Sequence, residues 1–216
     1  MVACGDADGA VTGNTRRFGA SLEKIKQVVS PREGEIMFGL NLVVHKGKTI
    51  FVADTSVHEY PSSEEMSEIA ISAARVVRLF GFDPKVAFVS HSTFGQPVTN
   101  RTKHIRKAVE ILKDKDVDFE FDGDMQPDVA LNKDYKDLYP FSKIVGNANI
   151  LIMPGQHSAA ISYKMMKELG DTKVIGPLLI GLGLPIEIAP LRTSTSELIN
   201  LASIAAYSAD IIDYKK

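Results

Sequence analysis

Apolar and polar residues follow a helical period over several parts of this chain. Over residues 62–81 the apolar side chains recur every three or four positions, which predicts one buried helix face. Ser62 and Glu65 form a capping-box pair at its start, and Gly81 is placed to end it. Ser194 and Glu197 likewise predict a cap at the start of a last helix. Further helices are predicted over residues 99–115, 158–170 and 195–210.

Short segments rich in β-branched and aromatic residues lie between these helices. They predict strands over residues 49–55, 84–90, 118–124, 149–155, 172–181 and 184–190. Strands and helices alternate along the chain, and this order predicts an α/β fold with a layered sheet. Ligands of such sheets bind beyond the carboxyl ends of the strands, so the residues that follow each strand are the candidate site.

The amino-acid composition argues against several classes of function. The 216 residues and 44% hydrophobic content are sufficient for one domain with a sizeable core. A net charge of −2, with both signs interspersed, gives no broad surface for nucleic acid or an anionic membrane. No apolar run is long enough to span a bilayer, and the single cysteine excludes an intramolecular disulfide. We therefore expect a cytoplasmic protein, and the abrupt apolar start at residues 1–13 predicts a piece of a larger one.

The segment after the strand at 84–90 is a candidate anion site. Ser92, Thr93 and Gly95 precede a helix, and their hydroxyl and amide groups could hold a phosphate. The alternative is a simple helix cap with a solvated basic face, because Ser and Thr are common at helix starts.

Acidic residues around a glycine turn form a second candidate. Asp122, Asp124 and Asp128 could hold Mg²⁺ or share a proton, but their spacing matches no calcium loop, and aspartates at turns commonly bond their own backbone. No metal site is therefore predicted. Gln126 and Asp128 remain candidate ligand contacts.

Gln156, His157 and Ser158 follow the most apolar strand at a helix start. The amide groups and partial positive charge there favour an anion or a pantetheine amide. His157 could act as a general base, or it could be a helix-start residue without a partner. No Ser/His/Asp constellation, H-x-x-x-H spacing or dinucleotide or P-loop motif accompanies it.

Arg192 stands in a hydroxyl-rich turn ahead of the last helix. Thr193, Ser194 and Thr195 follow it, and together with the helix dipole they could hold an anion. No carboxylate or histidine suited to proton transfer lies beside Arg192. The turn therefore predicts binding without catalysis.

Six segments, in order along the whole chain, resemble the phosphate acetyl/butyryltransferase family. They are most similar to the carboxyl-terminal phosphotransacetylase-like domain of large bacterial malic enzymes. The segments are GDADGAVTG, FVADTSVHEYPSSEEMSEIAISAA, PKVAFVSHSTFG, FDGDMQPDVALN, NANILIMPGQHSAAISYK and IGPLLIGLGLPIEIAP.

The resemblance implies a three-layer αβα sandwich of the isocitrate/isopropylmalate dehydrogenase type, with acyl-CoA between two subdomains. Residues 1–188 would form the second subdomain. Residues 189–216 would return as a segment and helix to the first subdomain, which is largely missing.

The chain departs from the family where catalysis is expected. Phosphotransacetylases carry the pattern S-R-G-x-S-x-x-D before the last helix, whose serine, arginine and aspartate serve the reaction. Here Arg192 is kept, Leu191 replaces the serine, Leu198 replaces the aspartate, and Glu23 occupies the position of a second arginine. Leucine neither moves a proton nor donates a hydrogen bond, so no catalytic residue is predicted.

The resemblance also implies a role and partners. Acetyl-CoA or another acyl-CoA would bind as an allosteric regulator in a homo-oligomer. Malic-enzyme domains amino-terminal to this region would carry the NADP and the divalent metal and would oxidatively decarboxylate malate to pyruvate. Two alternatives are an active phosphate acyltransferase, with His157 or Asp128 as a substituted base, and a scaffold with an empty cleft.

Overall fold

A computed structural model describes residues 1–144 and 146–211. Eight strands and six α-helices follow one another along this part of the chain. The strands are β1 (Ala10–Gly13), β2 (Phe38–His45), β3 (Lys48–Ala53), β4 (Lys85–Val89), β5 (Glu120–Met125), β6 (Ile150–Ile152), β7 (Thr172–Ile180) and β8 (Ile186–Ala189). The helices are α1 (Phe18–Lys26), α2 (Ser63–Leu79), α3 (Asn100–Lys113), α4 (Pro127–Leu131), α5 (Gln156–Leu169) and α6 (Thr195–Ile211), with 3-10 turns at Val2–Cys4 and Lys133–Leu138.

Six strands form the main sheet in the order β5-β4-β6-β3-β2-β7. Strands β3, β4, β5 and β6 are parallel, and β2 runs antiparallel to both β3 and β7. β7 therefore points in the same direction as the parallel strands. Strands β1 and β8 form a separate parallel pair. The carboxyl ends of β3 to β6 consequently meet at one edge of the main sheet.

Successive strand residues face opposite sides of the sheet and so build two hydrophobic layers. On one side Phe51, Phe88 and Ile150 pack with α2 and α3. On the other side Val52, Ala87 and Leu151 pack with residues of α4 and α5. The predicted α/β fold, with helices on both sides of a parallel-rich sheet, is confirmed. Its division at residue 188 stays a prediction.

Local capping signals fix the helices where the sequence predicts them. Ser62 and Glu65 form both hydrogen bonds of a capping box at α2. Ser194 and Glu197 exchange the same pair of bonds at α6. The sequence pattern did not reveal β1, β2, α1 or α4. No helix in the described part of the chain is both long and apolar enough to cross a membrane.

Candidate ligand-binding site

The turn after β8 displays Arg192 at the surface. The Thr193 amide donates to the Pro190 carbonyl (3.3 Å) and to Asn14 Oδ1 (3.1 Å), and the Thr193 hydroxyl donates to the same carbonyl (2.6 Å). Arg192 adopts a left-handed conformation with φ of 62°. Because Asn14 directly follows β1, the small β1–β8 sheet holds this turn from both sides.

Arg192 lines a cavity of about 450 Å³. Tyr163, Lys164 and Lys167 of α5 form another wall, and the middle of β7 and the start of α6 contribute the remainder. This volume lies within the range of small-molecule sites, about 300–1,000 Å³. The other lining residues are Glu168, Val174, Ile175, Gly176, Pro177, Pro190, Leu191, Thr193, Glu197 and Leu201.

The charged residues that line the cavity are Lys164, Lys167 and Arg192 against Glu168 and Glu197, which leaves a net positive charge. Lys167 Nζ lies 2.9 Å from Glu197 Oε1 and neutralises that carboxylate. The Ser194 amide, together with Lys167, lowers the pKa of Glu197 to about 2, so Glu197 is ionised at neutral pH. The ion pairs found in residues 1–144 and 146–211 include neither Arg192 nor Lys164. Both cations are therefore placed to meet an anionic ligand.

Tyr163 adds a polar group that is only half-exposed in the same cavity. Burial raises the pKa of its phenol, and the neighbouring Asn41 side chain partly offsets this rise. Asn41 itself is fully buried in β2. The phenol is consequently neutral near pH 7 and retains a hydroxyl that can serve as donor or acceptor to a ligand.

Hydrophobic side chains occupy the positions where the family pattern has reacting groups. Leu191 is 52% exposed and lines the cavity beside Arg192. Leu198 packs against the main hydrophobic core instead of facing a ligand. Glu23 lies on the exposed side of α1, 3.9 Å from Lys26. Leu191 and Leu198 carry no titratable group, and Glu23 is not among the residues that line this cavity.

Ser92, Thr93, Gly95 and Gln126 come together at the carboxyl ends of β4 and β5. Ser92 is fully buried, and its hydroxyl donates to Asp124 Oδ2. Thr93 Oγ1 accepts from the Gln126 amide at 3.3 Å. The Gly95 backbone, with φ of 87°, lies directly against the Arg106 guanidinium. The two hydroxyls hold the loop in place, and their contact with a ligand stays a prediction.

The three aspartates of the glycine turn each have a different hydrogen-bond or ion-pair partner. Asp122 accepts from the amides of Gly123 (2.9 Å) and Lys143 (2.7 Å). Asp124 lies 3.7 Å from Arg106 Nε, whereas Asp128 is exposed and accepts from the next amide in α4. No group of three or more metal-ligating side chains occurs within the described residues.

Polar residues at the start of α5 form another group, next to the loop that follows β3. The Gln156 amide donates to the Glu59 carbonyl (3.2 Å), and the Ser158 hydroxyl donates to the Gly155 carbonyl (2.7 Å). His157 Nε2 lies 3.4 Å from Glu59 Oε1. Its ring also stacks on Tyr60 at 6.2 Å between ring centres. His157 therefore faces a carboxylate and an aromatic ring, not Arg192.

The predicted site residues thus occupy three places. Arg192 and Thr193 line the large cavity, while Ser194 and Thr195 begin α6 beside it. The two groups at the carboxyl ends of the strands contribute none of the residues that line this cavity. Sequence reasoning missed its α5 wall, although the four-residue spacing of Tyr163 and Lys167 places them on one helix face.

The fold and the cavity can now be compared with those of known proteins. The sequence profile of the phosphate acetyl/butaryl transferase family matches residues 1–206, so the chain belongs to this family. An NADP-dependent malic enzyme of Rhizobium meliloti is 48% identical over 97% of the chain. The phosphate acetyltransferase of Bacillus subtilis is 31% identical, also over 97% of the chain. A phosphotransacetylase structure from Streptococcus pyogenes superimposes with a TM-score of 0.90 at 30% identity over 97% of the chain.

The chain is short relative to these proteins. It spans 28% of the Rhizobium malic enzyme and 65% of the Bacillus acetyltransferase. It likewise spans 65% of the Streptococcus phosphotransacetylase. The match thus covers nearly all of this chain but only part of each of these relatives.

Proposed function

We propose that this domain binds acetyl-CoA as an allosteric regulator and does not catalyse acyl transfer. The observation that carries the proposal is the Arg192 cavity, where two cations without carboxylate partners adjoin Leu191 instead of a reacting side chain. Phosphate groups suit such cations, and the thioester carbonyl suits the hydroxyl of Tyr163.

Binding and catalysis make different demands on this cavity. Acyl transfer between CoA and phosphate needs a base to form the thiolate and donors that stabilise the developing charge. Each missing group costs a factor of roughly 10² to 10⁴ in rate. Leu191 and Leu198 supply neither function. Anion binding needs only the charges and hydrogen bonds that remain.

The wider context of the proposal comes from the malic-enzyme relatives. We infer that the domain is the carboxyl-terminal part of such an enzyme, whose amino-terminal domains would oxidatively decarboxylate malate to pyruvate with NADP and a divalent metal. Acetyl-CoA would then change their activity by favouring one state of the assembly, by about 1–3 kcal/mol. This regulation would occur in the cytoplasm.

An exposed apolar stripe supports the proposal of a homo-oligomer. Ile161, Met165 and Leu169 recur every four residues on α5 and are 57%, 54% and 82% exposed. Two copies of α5 packed antiparallel about Met165 would place Ile161 of one against Leu169 of the other. Such a self-complementary contact is typical of two-fold symmetric dimers.

The test of inactivity is an assay of acetyl phosphate formation from acetyl-CoA and phosphate. We expect no turnover above the uncatalysed rate, because Leu191 and Leu198 stand where the family pattern has its reacting serine and aspartate. Turnover like that of an ordinary acyltransferase would contradict the proposal. If His157→Ala or Asp128→Ala then abolished that turnover, the active phosphate acyltransferase would be the correct alternative.

A further inference from the structure

A second, smaller cavity lies between α2, the end of β7 and α6. Its volume is about 100 Å³, and it shares no lining residue with the Arg192 cavity. Val76, Leu79, Leu178 and Ile204 give it apolar walls. A cavity of about 150 Å³ with similar walls holds a benzene molecule, so this one suits a body of about four carbon atoms.

Glu187 brings a carboxyl group to this apolar cavity. Its side chain is only 4% exposed, and Oε2 accepts from the Leu179 amide at 2.9 Å. No second hydrogen-bond or ion-pair partner of the carboxyl occurs among the described residues. Burial raises its pKa to about 8. The group is therefore protonated at neutral pH and has an O–H to donate.

Within the described residues this O–H forms no hydrogen bond to an acceptor. Buried polar groups are almost always paired, because an unpaired donor loses its hydration without compensation. Arg75 and Arg32 stand at the rim of the cavity and both pair with Glu35. The cavity thus has largely apolar walls, to which Ser72, Tyr207 and Ser208 add hydroxyl-bearing side chains and Glu187 adds a buried O–H. At its rim two arginines share one carboxylate.

We propose that this cavity binds a small uncharged aliphatic molecule with a carbonyl oxygen. The oxygen accepts the Glu187 hydrogen, and the aliphatic body contacts Val76, Leu79 and Ile204. An ammonium ion fits poorly, since it has three donors, the Glu187 carboxyl is protonated, and Glu35 is already engaged by Arg32 and Arg75. A carboxylate ligand would have to lose its hydration inside apolar walls.

Three probes with one carbon skeleton test the chemistry: isobutyramide, isobutylamine and isobutyrate. Each is titrated into the 216-residue chain at pH 7 while amide chemical shifts are followed by NMR. We expect isobutyramide to bind in the millimolar range and to shift residues around Glu187. We expect the amine and the acid to bind at least about tenfold more weakly. Tighter binding of the amine, or no binding of isobutyramide, would overturn the proposal.

Variants locate the binding. Glu187→Gln keeps a neutral donor and should retain isobutyramide affinity within about threefold, whereas Glu187→Leu should lower it by about tenfold or more. Val76→Phe fills the cavity without touching the acid and should also lower the affinity at least about tenfold. If Glu187→Leu does not fold, Val76→Phe alone decides the matter. Unchanged affinity in Val76→Phe would refute the site.

Arg192→Ala separates this inference from the proposed acetyl-CoA function. The variant changes only the other cavity, so isobutyramide affinity should stay at the wild-type value. An equal loss in Arg192→Ala and Val76→Phe would show that the probe does not report on Glu187, and it would overturn the assignment.

Discussion

Glu187 is a buried acid, and no ion pair of its carboxyl occurs within residues 1–144 and 146–211. Burial raises its pKa from 4.5 to about 8, and the Leu179 amide only partly opposes this rise. Folding therefore favours the protonated carboxyl. The resulting stability is fully present below pH 4.5 and is lost as the pH rises through about 8, because the unfolded chain releases the proton first.

Glu187→Gln removes this titration without removing a hydrogen-bonding group. We expect the free energy of unfolding of the wild type, relative to this variant, to fall by about 1.4 kcal/mol for each pH unit between about 5 and 8. Urea unfolding at several pH values measures it. Arg32, Glu35 and Arg75 at the cavity rim are the same in both proteins, so their contribution cancels in the difference between the two free energies. If the difference in the free energy of unfolding between the two proteins stayed constant over this pH range, Glu187 would already be ionised in the folded chain.

Some site residues could be predicted from sequence and others could not. Arg192 was identified because it precedes a capped helix and stands among hydroxyl side chains. Tyr163 and Lys164 were missed because α5 and the Arg192 turn are distant in sequence, and only tertiary packing brings them to one cavity. The role of Glu187 was also hidden, since an acid within an apolar strand gives no sign of its partner.

Helices were the elements most fully determined by local sequence. The capping boxes at α2 and α6 and the apolar repeat of α2 depend on contacts within four residues. β2 was not predicted, although its first six residues are buried. A buried strand between two others shows a continuous apolar run, and such a run carries no alternating pattern.

Ser62→Ala tests the contribution of a cap to α2. The change removes the acceptor of the Glu65 amide, so we expect a loss of about 1 kcal/mol in the free energy of unfolding. Chemical denaturation monitored by circular dichroism measures it. Ser203→Ala, at an exposed position in the middle of α6, is the control and should change stability by less than about 0.5 kcal/mol. Equal losses of unfolding free energy in Ser62→Ala and in the control would show that the cap is not the cause.

The apolar stripe of α5 makes a prediction about assembly. Met165→Lys places a charge at the centre of the proposed contact, so we expect the oligomer to dissociate while the fold is retained. Sedimentation velocity measures the change in mass. Val28→Lys is a matched control, because Val28 is 70% exposed and lies outside the stripe. An unchanged mass in Met165→Lys would exclude α5 as the subunit contact.

At the scale of the whole molecule, the order of strands and helices was sufficient to predict an α/β fold. The strand order of the main sheet was not predicted, because pairing between strands depends on contacts distant in sequence. The same limit applies to the site. Sequence placed candidate residues after several strands, whereas the fold separates them into three places and leaves only Arg192 and Thr193 in the large cavity.

The central claim is that Arg192 binds an anionic group of acetyl-CoA in that cavity. Calorimetric titration of acetyl-CoA into the wild type, Arg192→Ala and Arg78→Ala tests it most directly. Arg78 is the control, since it lies on α2 and pairs with Asp118. We predict saturable binding that weakens by about 10- to 100-fold in Arg192→Ala and stays unchanged in Arg78→Ala. Absence of binding to the wild type, or equal affinity in all three proteins, would contradict the account.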